Sequence, residues 1–382
     1  MKICFVADAK SIHVHRWAEF MHHKGHEIHV ITTRDGDVPG AEVYHIRAPL
    51  SNSKLRYITS IPKTKWLIKQ IAPDILHGHY VASFGTMAAH TGYTPLILSA
   101  WGSDVFQFGL RSGLHKRWVA ANFRKAVAIT TTSQHMRDTL IHEFGVDPAK
   151  IHTFSWGIGS VFFEEFSKDE LDTFRRDHNI PDGRTYILSP RHLAPIYGND
   201  IIIDAFGMLS GCFPDIHLLL MNGSDDKHYK AKMLRRVAEL GIENRVTFMP
   251  RLPSDRDVAM LFTLSPVFVS IPESDQRAIT ILEGMACGSL PILGDLEPYH
   301  EVVEEGVNGF YVHQRDSAGL AATLNYVLSE LPAASESIRT RNRAYCETHE
   351  RWEDCAEKMH ELYYQVAGVK VSHSPVITIP SM

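Results

Sequence analysis

Residues 266–295 constrain the fold of this chain more than any other stretch. Pro266–Ile271 is an apolar run of strand length, Pro272–Arg277 a polar turn, and Ala278–Cys287 a short helical pattern. Gly288 fits the position just past a helix end, and Leu290–Leu293 starts another strand. Strand, turn, helix and strand make one βαβ unit, and such units bind phosphates where a helix N-terminus meets the strand ends. Two carboxylates frame it, Asp275 in the turn and Glu283 in the helix. Eight residues of helical rise separate them by roughly 12 Å, somewhat less with the loop at one end. Even inverting glycosidases hold their acid and base only about 6.5–9.5 Å apart, so these two do not act on one bond. They suit hydroxyls at opposite ends of an extended ligand, with the free N–H groups of Gln276, Arg277 and Ala278 between them for a diphosphate. The plain alternative is a capped helix with a polar face.

The 382 residues and 44% hydrophobic content suffice for two cores. No run of about 18 apolar residues exists to span a membrane. Met1–Ala7 enters a strand pattern without a basic leader or cleavage site, so no signal peptide is expected. Cys4, Cys212, Cys287, Cys346 and Cys355 are odd in number and scattered, which predicts buried thiols in a reducing, cytoplasmic setting. Residues 1–160 hold 18 Lys and Arg against 11 Asp and Glu, a net of +7, and residues 161–382 hold 21 against 33, a net of −12. A basic first half predicts an anionic partner, such as a phospholipid surface or a phosphorylated acceptor.

The run Asp275-x7-Glu283-Gly-Met-Ala-Cys-Gly-Ser-Leu-Pro resembles the E-x7-E motif of the retaining family-4 glycosyltransferases, with Asp in the first position. The resemblance implies an α/β chain of the GT-B fold, two Rossmann-like domains with a cleft between them. Residues 1–162 would form the acceptor-side domain, completed by a C-terminal helix at 352–367. Residues 163–351 would bind the nucleotide-sugar donor, and 368–382 would be a loose tail. By the same resemblance Glu283 holds the nucleotide ribose, while Asp275 with Gln276, Arg277 and Ala278 lines the sugar and diphosphate pocket. Pro190–Phe206 is similar to the family loop whose Arg and Lys neutralise the diphosphate. Arg191 takes the Arg position, Tyr197 lies nearest the missing Lys, and Arg277 is expected to supply part of that charge. The same resemblance implies that the ends of His217–Gly223 and Asn244–Arg251 put Gly223, Pro250 and Arg251 around the nucleotide.

In the first half, Lys2–Ala7 and Glu27–Thr32 read as strands around a helix at His15–His23, and K-G-H-E-I-H-V-I-T resembles the family's opening. Ala9-Lys10-Ser11 stands where many members have Gly-Gly, so the acceptor-side loop containing Ser11 differs. Strands are also expected at Asp74–His79, Pro95–Asp104, Ala126–Ser133, Ile151–Gly159 and Tyr186–Ser189, and a helix and turn over Glu301–Val312. Trp101 replaces a family His that touches the sugar, and it joins His79 and Ser11 on the acceptor side; Gly102 and Asp104 shape their loop. His13/His15 and His77/His79 could each put two rings on one strand face, though neither pair has a carboxylate cluster to complete a metal site. Two clusters interleave basic and apolar residues. One runs through Arg47, Lys54, Arg56, Lys63, Lys65, Trp66 and Lys69, and the other through Phe106–Lys125. Both suit peripheral contact with an anionic membrane at its inner face, or else are solvated helix faces. Nucleic acid is not expected, for want of a recognition motif.

The expected activity is retaining transfer of a hexosyl group from a nucleoside diphosphate sugar to an acceptor hydroxyl, in polysaccharide, glycolipid or cell-envelope synthesis. The acceptor is a sugar, a lipid-linked molecule or another anion, and no cofactor or metal is expected. Two alternatives stand beside it: a non-hydrolysing sugar-nucleotide epimerase, and a scaffold of the same fold that has lost turnover.

Overall fold

A computed structural model describes residues 1–48, 55–223, 226–330 and 335–368. Lys54 of the first basic cluster and residues 369–382 of the expected tail lie outside them. The chain divides into two compact units, Met1–Ser155 with the chain from Cys355 onward, and Trp156–Asp354. The expected border at 162 therefore moves back. Ile158 pairs with Arg351 as an isolated bridge, its N–H donates to Glu350 O at 2.7 Å, and Phe162 is buried in the second unit's core. These contacts commit 156–162 to the second unit.

The first unit is built on β1 (Lys2–Val6), β2 (Glu27–Thr32), β3 (Ala41–His45), β4 (Ile75–His79), β5 (Leu96–Ser99), β6 (Ala128–Thr131) and β7 (Ile151–Thr153). Among the described residues these form one parallel sheet in the order β3-β2-β1-β4-β5-β6-β7. The central strands are buried on both faces, as in a parallel sheet covered by helices. Sequence reading passed over β3, a half-exposed edge strand of mixed polarity. The expected strands at Pro95–Asp104 and Ile151–Gly159 are shorter: β5 ends at Ser99, before the loop that carries Trp101, and β7 at Thr153, before the chain enters the second unit. His13 and His15 lie in the helix Ile12–His23, not on a strand.

The second unit contains β8 (Thr185–Ser189), β9 (Ile216–Met221), β10 (Val246–Met249), β11 (Val267–Ser270), β12 (Leu290–Gly294) and β13 (Phe310–Val312). Its parallel order is β10-β9-β8-β11-β12-β13. The expected βαβ unit is present: β11 pairs with β12 from Val267↔Leu290, and the helix Ile279–Ala286 connects them. Glu301–Val312 departs from expectation. The expected helix is absent among the described residues; the segment holds turns at 301–302 and 306–308, the second at the expected Asn308, whose Oδ1 accepts from Glu304 N–H, and then β13. Of the five cysteines, Cys4, Cys346 and Cys355 are buried, whereas Cys212 is exposed and Cys287 half-buried. Among the described residues no helix is long and apolar enough to cross a membrane.

The helix Trp352–Ala367 supplies the last layer of the first unit from Cys355 onward. Tyr363 meets His77 Nδ1 at 2.6 Å, and His77 Nε2 meets Ser99 Oγ at 2.7 Å, so both ring nitrogens are engaged inside the core. Burial, then neighbouring His79, holds His77 well below the usual histidine range. Burial, then His13, takes His79 to about 3, and burial, then Arg16, takes His13 to about 4. These rings are neutral in the fold and gain protons only when the chain unfolds, below about pH 6.5. Their contribution is complete above that value and is lost as pH falls toward about 4. Urea denaturation at about pH 7.5 and about pH 5 should show a lower midpoint in acid. An unchanged midpoint would mean that the histidines carry no such linkage.

Candidate active site

In each sheet the strand order reverses once, between β1 and β4 and between β8 and β11. Ligands of open α/β sheets sit beyond the strand C-termini at such reversals. In the second unit, the loops leaving β8 and β11 carry Arg191 and Asp275. Arg191 Nη1 lies 2.8 Å from Asp275 Oδ2, and both side chains are mostly buried. The buried Tyr299 donates its hydroxyl to the same carboxylate oxygen at 2.9 Å, and the Arg191 guanidinium lies 4.4 Å over the Tyr197 ring. Burial works against the Arg191 charge, but Asp275, then Tyr299 and Tyr197, outweigh it, and the guanidinium holds its proton more tightly than usual. Burial and then Asp275 raise the Tyr299 phenol well above its ordinary range, so its O–H remains a donor.

The two loops are stitched together. Glu273 N–H donates to Ile196 O at 2.8 Å, and a Cβ on Gly198 would lie 3.1 Å from Ile271 O. Gly198 also has φ +64°, so glycine suits this position twice over. A Cβ on Gly284 would come within 2.6 Å of the Phe268 ring, so the helix bearing half-buried Glu283 lies directly on β11. Gly223 follows β9 beside His192, whose Cβ is 3.4 Å from where a Gly223 Cβ would stand. Pro250 and Arg251 are exposed beyond β10.

Two expectations change here. The amides of Gln276 and Arg277 are not free: Gln276 N–H donates to Asp275 Oδ1 at 2.8 Å and Arg277 N–H to Gln276 Oε1 at 3.3 Å. Short polar side chains compete locally for such donors. Ala278, the residue before the helix, offers no side-chain cap. Arg277 is an ion-pair partner of Glu350, whose carboxylate is 1% exposed, and it also donates to Tyr345 Oη at 3.3 Å. Its charge is thus balanced inside the unit, which removes the basis for expecting it to replace the missing Lys. Glu350 lies 73 positions along the chain, and no local pattern announces it. Tyr299 was equally hidden, as were Ser189 Oγ and Asn222 Oδ1. These last two are shielded from solvent at the ends of β8 and β9, with no hydrogen-bond partner among the described residues.

In the first unit, the sequence-predicted Ser11, His79 and Trp101 are brought together around one cavity of about 1060 Å³. His79 is the last residue of β4, and Ser11 and Trp101 lie in the loops after β1 and β5. Asp104, fully buried, accepts from the N–H groups of Val81 (2.7 Å), Trp101 (3.0 Å) and Gly102 (2.8 Å), and so fixes the loop that presents Trp101. Trp101 packs edge-on against His13, His79 and Tyr80. The ring nitrogens of His79, which is 2% exposed, have no partner among the described residues.

Two parallel sheets, each with one reversal point, give the fold, and family matches give its class. Residues 2–133 match the family model "Glycosyl transferase 4-like" and residues 171–360 match "Glycosyl transferases group 1". The chain belongs to this family of glycosyltransferases and has its GT-B fold. It is 23% identical over 272 residues to a D-inositol 3-phosphate glycosyltransferase of Mycolicibacterium gilvum, a match covering 68% of this chain and 60% of that protein. The chain thus spans less than two thirds of the length of that relative. Anabaena HepE in complex with UDP-glucose superposes with a TM-score of 0.79 at 18% identity, covering 96% of this chain and 100% of that one. Sucrose-phosphate synthase from Thermosynechococcus elongatus gives 0.80 at 18%, covering 96% and 99%.

Removing the Arg277 side chain would leave Glu350 a buried, uncompensated carboxylate. Arg277→Ala should cost about 3–5 kcal/mol of stability, and Arg277→Ala with Glu350→Gln should recover much of it. Denaturant titration measures both. Equal stability of wild type and Arg277→Ala would contradict the pairing.

Proposed function

We propose that this chain transfers a sugar from a nucleoside diphosphate sugar to an acceptor hydroxyl with retention of configuration. The observation that carries the reading is the Arg191–Asp275 pair at the reversal point of the second sheet, backed by Tyr299. Arg191 has five N–H donors, enough to hold Asp275 and a phosphate oxygen together. In this reading Arg191 and the uncapped start of the helix at Ile279 meet the charge that grows on the departing diphosphate. Asp275, held from two sides, orients the sugar hydroxyls. Glu283, further along the same helix, takes the ribose hydroxyls. Ser189 Oγ and Asn222 Oδ1 are polar groups left for the ligand to satisfy. Oxygen of the leaving β-phosphate accepts the proton of the acceptor hydroxyl as the glycosidic bond forms on the face the leaving group vacates. No protein nucleophile and no metal enters this scheme.

The Anabaena neighbour's complex with UDP-glucose supports a nucleotide-sugar donor. The name of the Mycolicibacterium relative supports a phosphorylated acceptor, and so does the +7 balance of residues 1–160. Synthesis of a polysaccharide or glycolipid of the cell envelope, with the first unit resting on an anionic membrane surface, fits both.

Thermal melting with UDP, GDP, ADP and their sugar conjugates tests the donor half. One nucleotide should stabilise the protein, by about 2.7 kcal/mol at 100 times its dissociation constant, and Glu283→Ala should abolish the shift. No shift with any nucleotide on folded protein would overturn the reading.

A further inference from the structure

The first-unit cavity combines features that a purely polar acceptor does not need. Its volume, about 1060 Å³, is at the upper end of the roughly 300–1,000 Å³ of small-molecule pockets. The two basic–apolar clusters of the sequence meet at its wall: Arg56 and Ile58 come from one, Arg111, Leu114 and Trp118 from the other. Leu114 is 77% exposed and Ile58, Trp118 and Leu55 are also open to solvent, an apolar group that water alone does not favour. Arg34, Arg56 and Arg111 all line the cavity, and its one lining carboxylate, Asp8, pairs with Arg34 at 3.7 Å, which leaves Arg56 and Arg111 in excess. His79, also in the lining, is buried, and its ring nitrogens have no partner among the described residues. Its low pKa keeps it neutral, so it can give or take a hydrogen bond with a hydroxyl.

We propose that this cavity binds an anionic amphiphile, a lipid whose phosphate-bearing head lies against Arg56 and Arg111 and whose hydrocarbon runs along Ile58, Leu114 and Trp118. The inference rests on the transferase reading in taking this lipid as the acceptor. A hydroxyl of its head group lies at His79. Arginines beside exposed apolar side chains recognise charge and chain together; a free phosphate uses only the first and an uncharged detergent only the second.

Calorimetry with decyl phosphate below its micelle concentration tests this, with inorganic phosphate and decyl maltoside as the head-only and chain-only probes. Decyl phosphate should bind at least about tenfold more tightly than either. Leu114→Asp and Arg111→Glu, both at exposed positions, should each weaken it by about tenfold while melting like the wild type. Equal binding of inorganic phosphate would make this a plain anion site and overturn the proposal. So would equal binding of decyl maltoside, or unchanged affinity in folded Leu114→Asp. Nucleotide binding by the wild type separates the two claims. Nucleotide binding without decyl phosphate binding sinks the amphiphile, and decyl phosphate binding without nucleotide binding sinks the transferase.

Discussion

Everything functional in this molecule depends on one constraint of parallel sheets. Successive strands added on one side of a starting strand send their connecting helices to one face, and strands added on the other side send them to the opposite face. Where the direction reverses, at β1/β4 and β8/β11, the adjacent loops part and leave an opening above the strand ends. Asp8, Ser11 and His79 border one such opening, and Arg191 and Asp275 lie at the other. The strands beneath are buried on both faces, so the loops start from rigid positions.

Two ion pairs near the β11 loop show how context sets the use of a charge. Arg191–Asp275 and Arg277–Glu350 are both largely shielded from water, where each charge depends on its partner. Glu350 is enclosed with Tyr345, and its pair with Arg277 anchors the loop to the segment before the last helix. Arg191–Asp275 instead lies at the reversal point, where an aromatic ring, a phenol and the Gln276 amide also meet it. Loop position decides which arginine is kept for structure.

Sequence reading was most accurate where the signal is local. The β11–helix–β12 unit followed from an apolar run, a polar turn and Gly288, and β2 was placed at Glu27–Thr32. Ser11, His79 and Trp101 converge on one cavity because each lies at or just beyond the C-terminal end of a strand of the same sheet. What escaped depends on long-range contacts. The short edge strands β3 and β13 have little alternation to read, and they owe their conformation to pairing with β2 and β12. The engaged amides of Gln276 and Arg277 depend on side-chain rotamers that spacing does not fix. Glu350 and Tyr299 reach the β11 loop only after the chain has folded back.

The central claim is that Arg191 meets the diphosphate of a bound nucleotide. Its most direct measurement is the affinity of wild type and Arg191→Lys for a nucleoside diphosphate and for the matching nucleoside. Lysine keeps the charge beside Asp275 but loses the forked geometry. The account predicts that the diphosphate loses about tenfold or more in affinity while the nucleoside binds as before. Equal losses for both ligands, or none for either, would contradict it.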